Sequence, residues 1–465
     1  MGHILPPHSP DGVFVSPAHL VHVPCLCVLS EQRRCLDAFV IALSQFYEGK
    51  EKRWYTSTQE LQLASLEFCG ACRSIPMLAV CVGDETPPSL WSLGQVNSAA
   101  GISSRVPVVR AVALTWSRET ESPLGSASSE LWARLETLQL EVSLRTDSLD
   151  SMVWPQGLQT LVMHPTVEKI PLEMMSWPSS LKSLTFGGIF DQPINKILLP
   201  TSIQKLIFGF RFNQPISEVE FPASLQRLSF GYWFDRPLVG SLWPASLLSL
   251  SFGFQFNHPI VGVQWPPSLQ HLWFGVSFNQ PIVGVKWPSS LQMLSFGVCF
   301  KQPIAEAIWP DSLRELMFGD HFNQPISEVK WPSSLRHLSF QRHFNQPISE
   351  VKWPSSLQEL LFGRQFNQPI EACAWPASLQ QLSFGEKFNQ PISAVVWPAS
   401  LEDLSFGGNF NQPIVNVKWP PSLRQLSLGY PGQATFGSKF NQPVHDVVWP
   451  ASMRSVTKNG VQILL

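Results

Sequence analysis

Charge is scarce in this sequence, and so is tyrosine. Charged residues make up 14% of the 465 positions, against about 25% in an average globular chain. Only 4 residues are Tyr, although 31 are Phe and 18 are Trp. A net charge of -2 and a pI near 6.6 give no electrostatic reason to expect nucleic acid or an anionic membrane as a partner. No run approaches the roughly 20 apolar residues of a membrane span. No Asn-x-Ser/Thr sequon occurs, and the 8 Cys are too dispersed for a disulfide framework. Met1-Gly2-His3-Ile4-Leu5-Pro6-Pro7 has neither the basic-then-apolar layout of a signal peptide nor the Ser or Thr at position 6 of a myristoylation site. An intracellular, cytoplasmic address is the expectation. No P-loop, dinucleotide fingerprint, Gly-x-Ser-x-Gly or His-Glu-x-x-His is present. An enzyme is therefore not expected, and no catalytic residue or cofactor site is assigned.

What is abundant is positional. From Trp177 onward one motif recurs, most legibly as Pro354-Ser-Ser-Leu-Gln-Glu-Leu-Leu-Phe-Gly-Arg-Gln-Phe-Asn-Gln-Pro-Ile-Glu-Ala-Cys-Ala-Trp375. Trp-Pro returns every 22 residues from Trp243 to Trp419. A Phe-Asn-Gln-Pro-Ile core opens twelve times, from Phe190 to Phe440, and only an insertion at 430–437 breaks the period. Twelve of the 18 Trp and 26 of the 41 Pro occupy repeat columns. Two Pro per unit cut it into pieces too short for a stable helix. Within the pieces, Leu357, Leu360 and Phe362, then Ile348, Val351 and Trp353, follow an i, i+3, i+5 spacing. Each unit reads as two half-turns that point three apolar side chains inward and end in a short strand. Gly after the Phe reads as a residue for a sharp turn. A constant period favours parallel stacking of equivalent positions, and one coil cannot bury its own core. The fold class expected is mainly β: a leucine-rich-repeat-like parallel β-solenoid of 22-residue coils with a short helical N-terminal region.

Pro-x-Ser-Leu-x-x-Leu-x-Phe-Gly followed by Phe-Asn-Gln-Pro-Ile resembles the FNIP repeat, a leucine-rich-repeat relative found mainly in protist proteins. The resemblance covers residues from about 178 to 450. It implies a leucine-rich-repeat-like fold with a parallel sheet and a protein-interaction role. Some members carry an F-box upstream, which implies ubiquitin-ligase adaptor work. Trp-Pro here replaces the usual Ile-Pro or Leu-Pro.

Four segments follow. Residues 1–60 form an N-terminal helical or irregular cap region, 61–177 degenerate coils, 178–450 twelve repeats, and 451–465 a hairpin cap around Asn459-Gly460. The repeat decays through Leu158/Leu161/Met163, Leu135/Leu138/Leu140 and Val109/Val112/Leu114. Residues 57–68 fit either a further coil through Leu63, Leu66 and Phe68 or a short helix with a Ser57-Thr-Gln-Glu60 capping box. Residues 31–48 show helical spacing, read as a cap or as an F-box remnant. Cys69-Gly-Ala-Cys72 has half-zinc spacing and Cys25-Leu-Cys27 could add two thiolates, but Cys-x-Cys suits zinc poorly and no His lies near. Buried thiols are expected, with no metal assigned. His321 and His343 should form a surface pair. The Asn column (Asn213 to Asn441, with Asp191 and Asp235) is expected to be an internal ladder that satisfies a buried bend. Glu306, Glu328 and Glu350 beside Lys330 and Lys352 should pair between coils.

The outward residue of Leu-x-x-Leu-x-Phe is usually Ser or Thr, as at Thr185, Ser229, Ser251, Ser295, Ser339, Ser383, Ser405 and Ser427. Ile207, Trp273, Met317 and Leu361 depart from this, placing large apolar groups where a partner-binding hot spot would use them. They are the candidate binding residues. The leading expectation is a non-enzymatic scaffold for an unidentified partner protein. The alternatives are an F-box-like substrate adaptor that docks the ubiquitin-ligase core, and a carbohydrate or adhesion module.

Overall fold

In the computed structural model the described residues are 78–82, 111–116, 136–142, 154–165, 172–429 and 439–463. The helix read at 31–48, the alternatives at 57–68, and Cys25, Cys27, Cys69 and Cys72 lie outside them. Among the described residues no helix is long and apolar enough to cross a membrane. The chain divides into two units, Met1–Leu181 and Lys182–Leu465.

In the first unit, strands β1 (Leu78–Val82), β2 (Ala111–Trp116), β3 (Thr137–Val142) and β4 (Thr160–Pro165) pair in parallel, in sequence order. The register aligns Val112 with Leu138 and Leu161, and Leu114 with Leu140 and Met163. These are the positions of the decaying apolar trios. The segment that pairs with β2 is Leu78–Val82.

The second unit is the regular stack. Its strands are β5 (Ser183–Phe186), β6 (Lys205–Ile207), β7 (Arg227–Ser229), β8 (Ser249–Ser251), β9 (His271–Trp273) and β10 (Met293–Ser295). They continue as β11 (Glu315–Met317), β12 (His337–Ser339), β13 (Glu359–Leu361), β14 (Gln381–Ser383), β15 (Asp403–Phe406) and β16 (Gln425–Leu428). Each is parallel to the next in constant register, as in Leu272↔Leu294↔Leu316. β17 (Ser455–Lys458) adds to β16 across the insertion, and β18 (Val461–Ile463) returns antiparallel to it. Asn459 (φ 54°) and Gly460 (φ 81°) make that turn, the two left-handed residues a tight hairpin connection requires.

The periodic residues account for the stack. Leu316, Phe318 and Phe322 are almost wholly buried, as are their counterparts in neighbouring coils. Phe318 and Phe322 stack at 4.2 Å within a coil, and Phe322 meets Phe344 of the next at 6.1 Å. Trp353 stacks on Trp375 at 6.5 Å and sets its edge against Phe362 at 6.4 Å and 74°. The buried indole N–H groups from Trp243 to Trp419 make no hydrogen bond.

Polar columns hold the coils in register. Ser356 Oγ donates to the Leu335 carbonyl (2.7 Å), and the equivalent Ser does so in coil after coil. Asn345 Oδ1 accepts the Asn367 N–H (2.8 Å) and the Gln368 Nε2 (3.2 Å) of the next coil. The Asn ladder therefore exists, but at a corner where its members are half-buried or exposed, not in the interior. Asp191 and Asp235 take the same part. Lys301 offers no such side-chain oxygen, and there the ladder is interrupted.

Two further expectations are corrected. Only the Leu-x-x-Leu-x-Phe half forms strands; the Ile-x-x-Val-x-Trp half closes one turn, Val351 N–H to Ile348 O at 3.2 Å, and then runs extended without a ladder. Pro on either side removes donors that a sheet would need. The Gly after Phe is required by space rather than by φ, since only Gly429 of that column has a left-handed φ. A Cβ on Gly297 would lie 1.6 Å from the Gly275 carbonyl oxygen.

Candidate interaction surface

Strand geometry alternates side chains across the sheet. In β11, Leu316 points into the core while Glu315 and Met317 face outward, half-buried. The same pattern places Ile207 on β6, Trp273 on β9 and Leu361 on β13, each half-buried on the outer face. The register joins Ser251, Trp273, Ser295, Met317, Ser339, Leu361 and Ser383 into one row. Trp273, Met317 and Leu361 thus recur at every second strand, about 9.6 Å apart, with a serine notch between them. The Trp273 ring is braced by His271 at 5.7 Å. Ile207 stands outside this alternation, separated from Trp273 by Ser229 and Ser251.

A second column, just past the Phe-Gly step, is charged toward the C-terminus, at Asp320, Arg342, Arg364 and Glu386. Toward the N-terminus it becomes apolar: Phe210 (52% exposed), Tyr232, Phe254 (37% exposed), Val276 and Val298. The first three rings stack at 4.7 and 4.5 Å, and Trp233 (47% exposed) meets Tyr232 edge-on at 5.3 Å. Reading the residue after each Phe-Gly in every copy would have found it. Between this column and the sheet face runs a trough of about 450 Å³. Gly275, Gly297 and Gly319, Met317, Phe254 and Asp320 are among the residues that line it.

The charged columns are only partly paired. Arg364 bridges to Glu386, His337 to Glu359 at 2.8 Å, and Arg424 to Glu402 at 2.8 Å. Glu306, Glu328, Glu350, Lys330 and Lys352 form no ion pair among the described residues, contrary to the expected ladder. His321 and His343 face each other at 5.4 Å on the surface. Among the described residues no cluster of three metal-ligating side chains occurs. Burial pushes the Cys373 thiol up to about 12, which keeps it protonated and unreactive near neutrality. Cys299 is only half-buried.

Residues 171–431 match the FNIP Repeat in overlapping and successive segments, from 171–211 to 388–431. Among solved structures the chain is similar to CroV588, a circular leucine-rich-repeat protein, at 28% identity and TM-score 0.46 over 75% of this chain and 69% of that one. It is also similar to the Toll–Spatzle complex of Drosophila (11%, TM-score 0.42, 81% and 57%). A third is an internalin of Listeria monocytogenes (12%, TM-score 0.34, 79% and 93%). No curated protein matches the sequence. With more than half its length matched by one repeat and its coils stacked as that repeat implies, the chain belongs to the FNIP-repeat family.

Proposed function

We propose that the chain is a non-enzymatic scaffold that binds a partner protein through the outer face of its parallel sheet. Solenoids of stacked repeats present extended surfaces of this kind. The observation that carries the reading is the row of Trp273, Met317 and Leu361, large apolar groups repeated on a face otherwise lined by Ser. Such groups contribute most of the binding energy when a partner desolvates them, and Trp is the residue most enriched at such positions. Ile207 lies at the margin of the surface.

Proximity labelling in cells identifies the partner, and binding is then measured with both proteins purified. Trp273→Ser should weaken binding by at least about tenfold, in the range of a hot-spot residue, and leave thermal melting nearly unchanged. Equal binding by wild type and variant would remove the sheet face from the interface.

A further inference from the structure

The break in the asparagine ladder leaves hydrogen-bond donors without an acceptor. Elsewhere in the column one side-chain oxygen serves the following coil twice. Asn257 Oδ1 accepts the Asn279 N–H at 2.8 Å and Gln280 Nε2 at 3.1 Å, and Asn345 Oδ1 accepts from Asn367 and Gln368 in the same way. Lys301 receives such a bond, its N–H held by Asn279 Oδ1 at 3.0 Å, but has no side-chain oxygen to offer in turn. The consequence falls on Asn323. Of the column's backbone N–H groups from Asn213 to Asn441, that of Asn323 alone has no partner among the described residues. Gln324 Nε2 keeps its bond to the Lys301 carbonyl at 2.8 Å. It lacks the second contact, to a side-chain oxygen, that Gln280, Gln346 and Gln368 make. Two donors that share one oxygen in neighbouring coils have none to share here.

The column itself shows which groups complete the ladder. In most coils the acceptor is an amide oxygen, but twice it belongs to a carboxylate. Asp191 Oδ1 accepts the Asn213 N–H at 2.8 Å and Gln214 Nε2 at 2.9 Å. Asp235 Oδ1 accepts the Asn257 N–H at 2.9 Å. A carboxylate oxygen therefore fits this arrangement of donors. What sets the break apart is charge. The Lys301 side chain is exposed and its ammonium forms no hydrogen bond or ion pair among the described residues. An incoming amide would complete the ladder and leave that cation unmatched, whereas a carboxylate would do both, through charge-assisted bonds. Phosphate would match the charge, but its tetrahedral oxygens replace the trigonal group that the donors meet in every other coil. Asn323 is exposed as well, so a ligand reaches the position from solvent.

From these unpartnered donors beside an unpaired cation, we infer that the corner formed by Lys301, Asn323 and Gln324 binds a carboxylate, one oxygen of which takes the place of the missing ladder oxygen. None of the three residues belongs to the sheet face, so this site stands apart from the partner-binding surface proposed above.

Nuclear magnetic resonance on the isotope-labelled full chain reads Asn323 directly through its backbone amide signal. The probes are acetate and a capped Gly-Asp-Gly peptide, titrated at an ionic strength held constant with chloride; capped Gly-Asn-Gly and inorganic phosphate serve as comparisons. Both carboxylates should move the Asn323 amide proton downfield saturably, with Gly-Asn-Gly and phosphate weaker by at least about twofold. Tighter binding of the peptide than of acetate makes an acidic side chain of another protein the source of the carboxylate, and the reverse makes it a free carboxylic acid. Lys301→Met removes the charge without supplying an oxygen, and should weaken acetate binding about two- to fivefold, the worth of an exposed charge pair. Lys301→Asn supplies the oxygen. Its Asn323 amide should lie downfield before any ligand is added and no longer respond to acetate. An acetate response that persists in Lys301→Asn, is undiminished in Lys301→Met, or is matched by phosphate overturns the proposal, as does the absence of any saturable response in the wild type. Loss of partner binding in Trp273→Ser is independent of all these outcomes, so the sheet-face reading stands or falls separately.

Discussion

Gly297 and Gly188 occupy the same region of two coils yet meet different surroundings. A Cβ at Gly297 would strike the Gly275 carbonyl, whereas one at Gly188 meets nothing within 4 Å. Gly297→Ala should cost about 1–3 kcal/mol, the usual penalty of overpacking, and Gly188→Ala under about 0.5 kcal/mol, both read from urea denaturation. Asn345 offers a second contrast. Its Oδ1 serves Asn367 and Gln368, so Asn345→Ala should cost about 1 kcal/mol. Asn345→Asp keeps the acceptor, as Asp235 does for Asn257, and should be nearly neutral. Asp403 tests charge. Its carboxyl is raised above the usual range by burial first and by Glu402 second, with Arg424 opposing. Folding therefore favours its protonated form, and its contribution to stability falls as pH rises through the raised pKa. Asp403→Asn should melt slightly higher than wild type at pH 7, with the difference vanishing in acid. At this scale the periodic Leu and Phe were legible in the sequence because a buried column tolerates little else. The Asn column was not placed correctly, since a ladder of side chain to backbone bonds reads the same at an exposed corner as in a core.

The coil is the element, and its halves are unequal. Leu-x-x-Leu-x-Phe keeps every N–H and pairs along the stack, while the Pro-bounded half contributes Ile, Val and Trp to the core without pairing. The two halves share one apolar spacing, so the sequence alone made them look equivalent; the Pro positions separate them. The aromatic ladder at Phe210, Tyr232 and Phe254 was missed for a related reason: its column changes from aromatic to charged along the stack, and no single copy displays the change. Because each coil contacts its neighbours through repeated columns, whole coils should be removable where half-coils are not. Deleting 345–366 joins Phe344 to Asn367 in phase. Circular dichroism should retain the wild-type signal per residue, and the transition should stay cooperative with a modest loss of stability. Deleting 345–355 puts a turn against strand positions and should abolish that transition.

At the scale of the whole molecule, the scarcity of charge and wealth of Phe, Trp and Pro become one fact, since the columns of the stack are spent on packing and register. Variation is left to the outward columns, and the proposed function rests on them. Hydroxyl-radical footprinting of the full chain, alone and with its purified partner, tests this most directly. Partner binding is predicted to lower oxidation of Trp273, Met317 and Leu361 at least several-fold. Leu198, Ile308 and Val448, which are 84%, 79% and 85% exposed on the opposite half-turn, should be unchanged. Protection of Leu198, Ile308 and Val448 with Trp273 and Met317 oxidised as freely as before would contradict it.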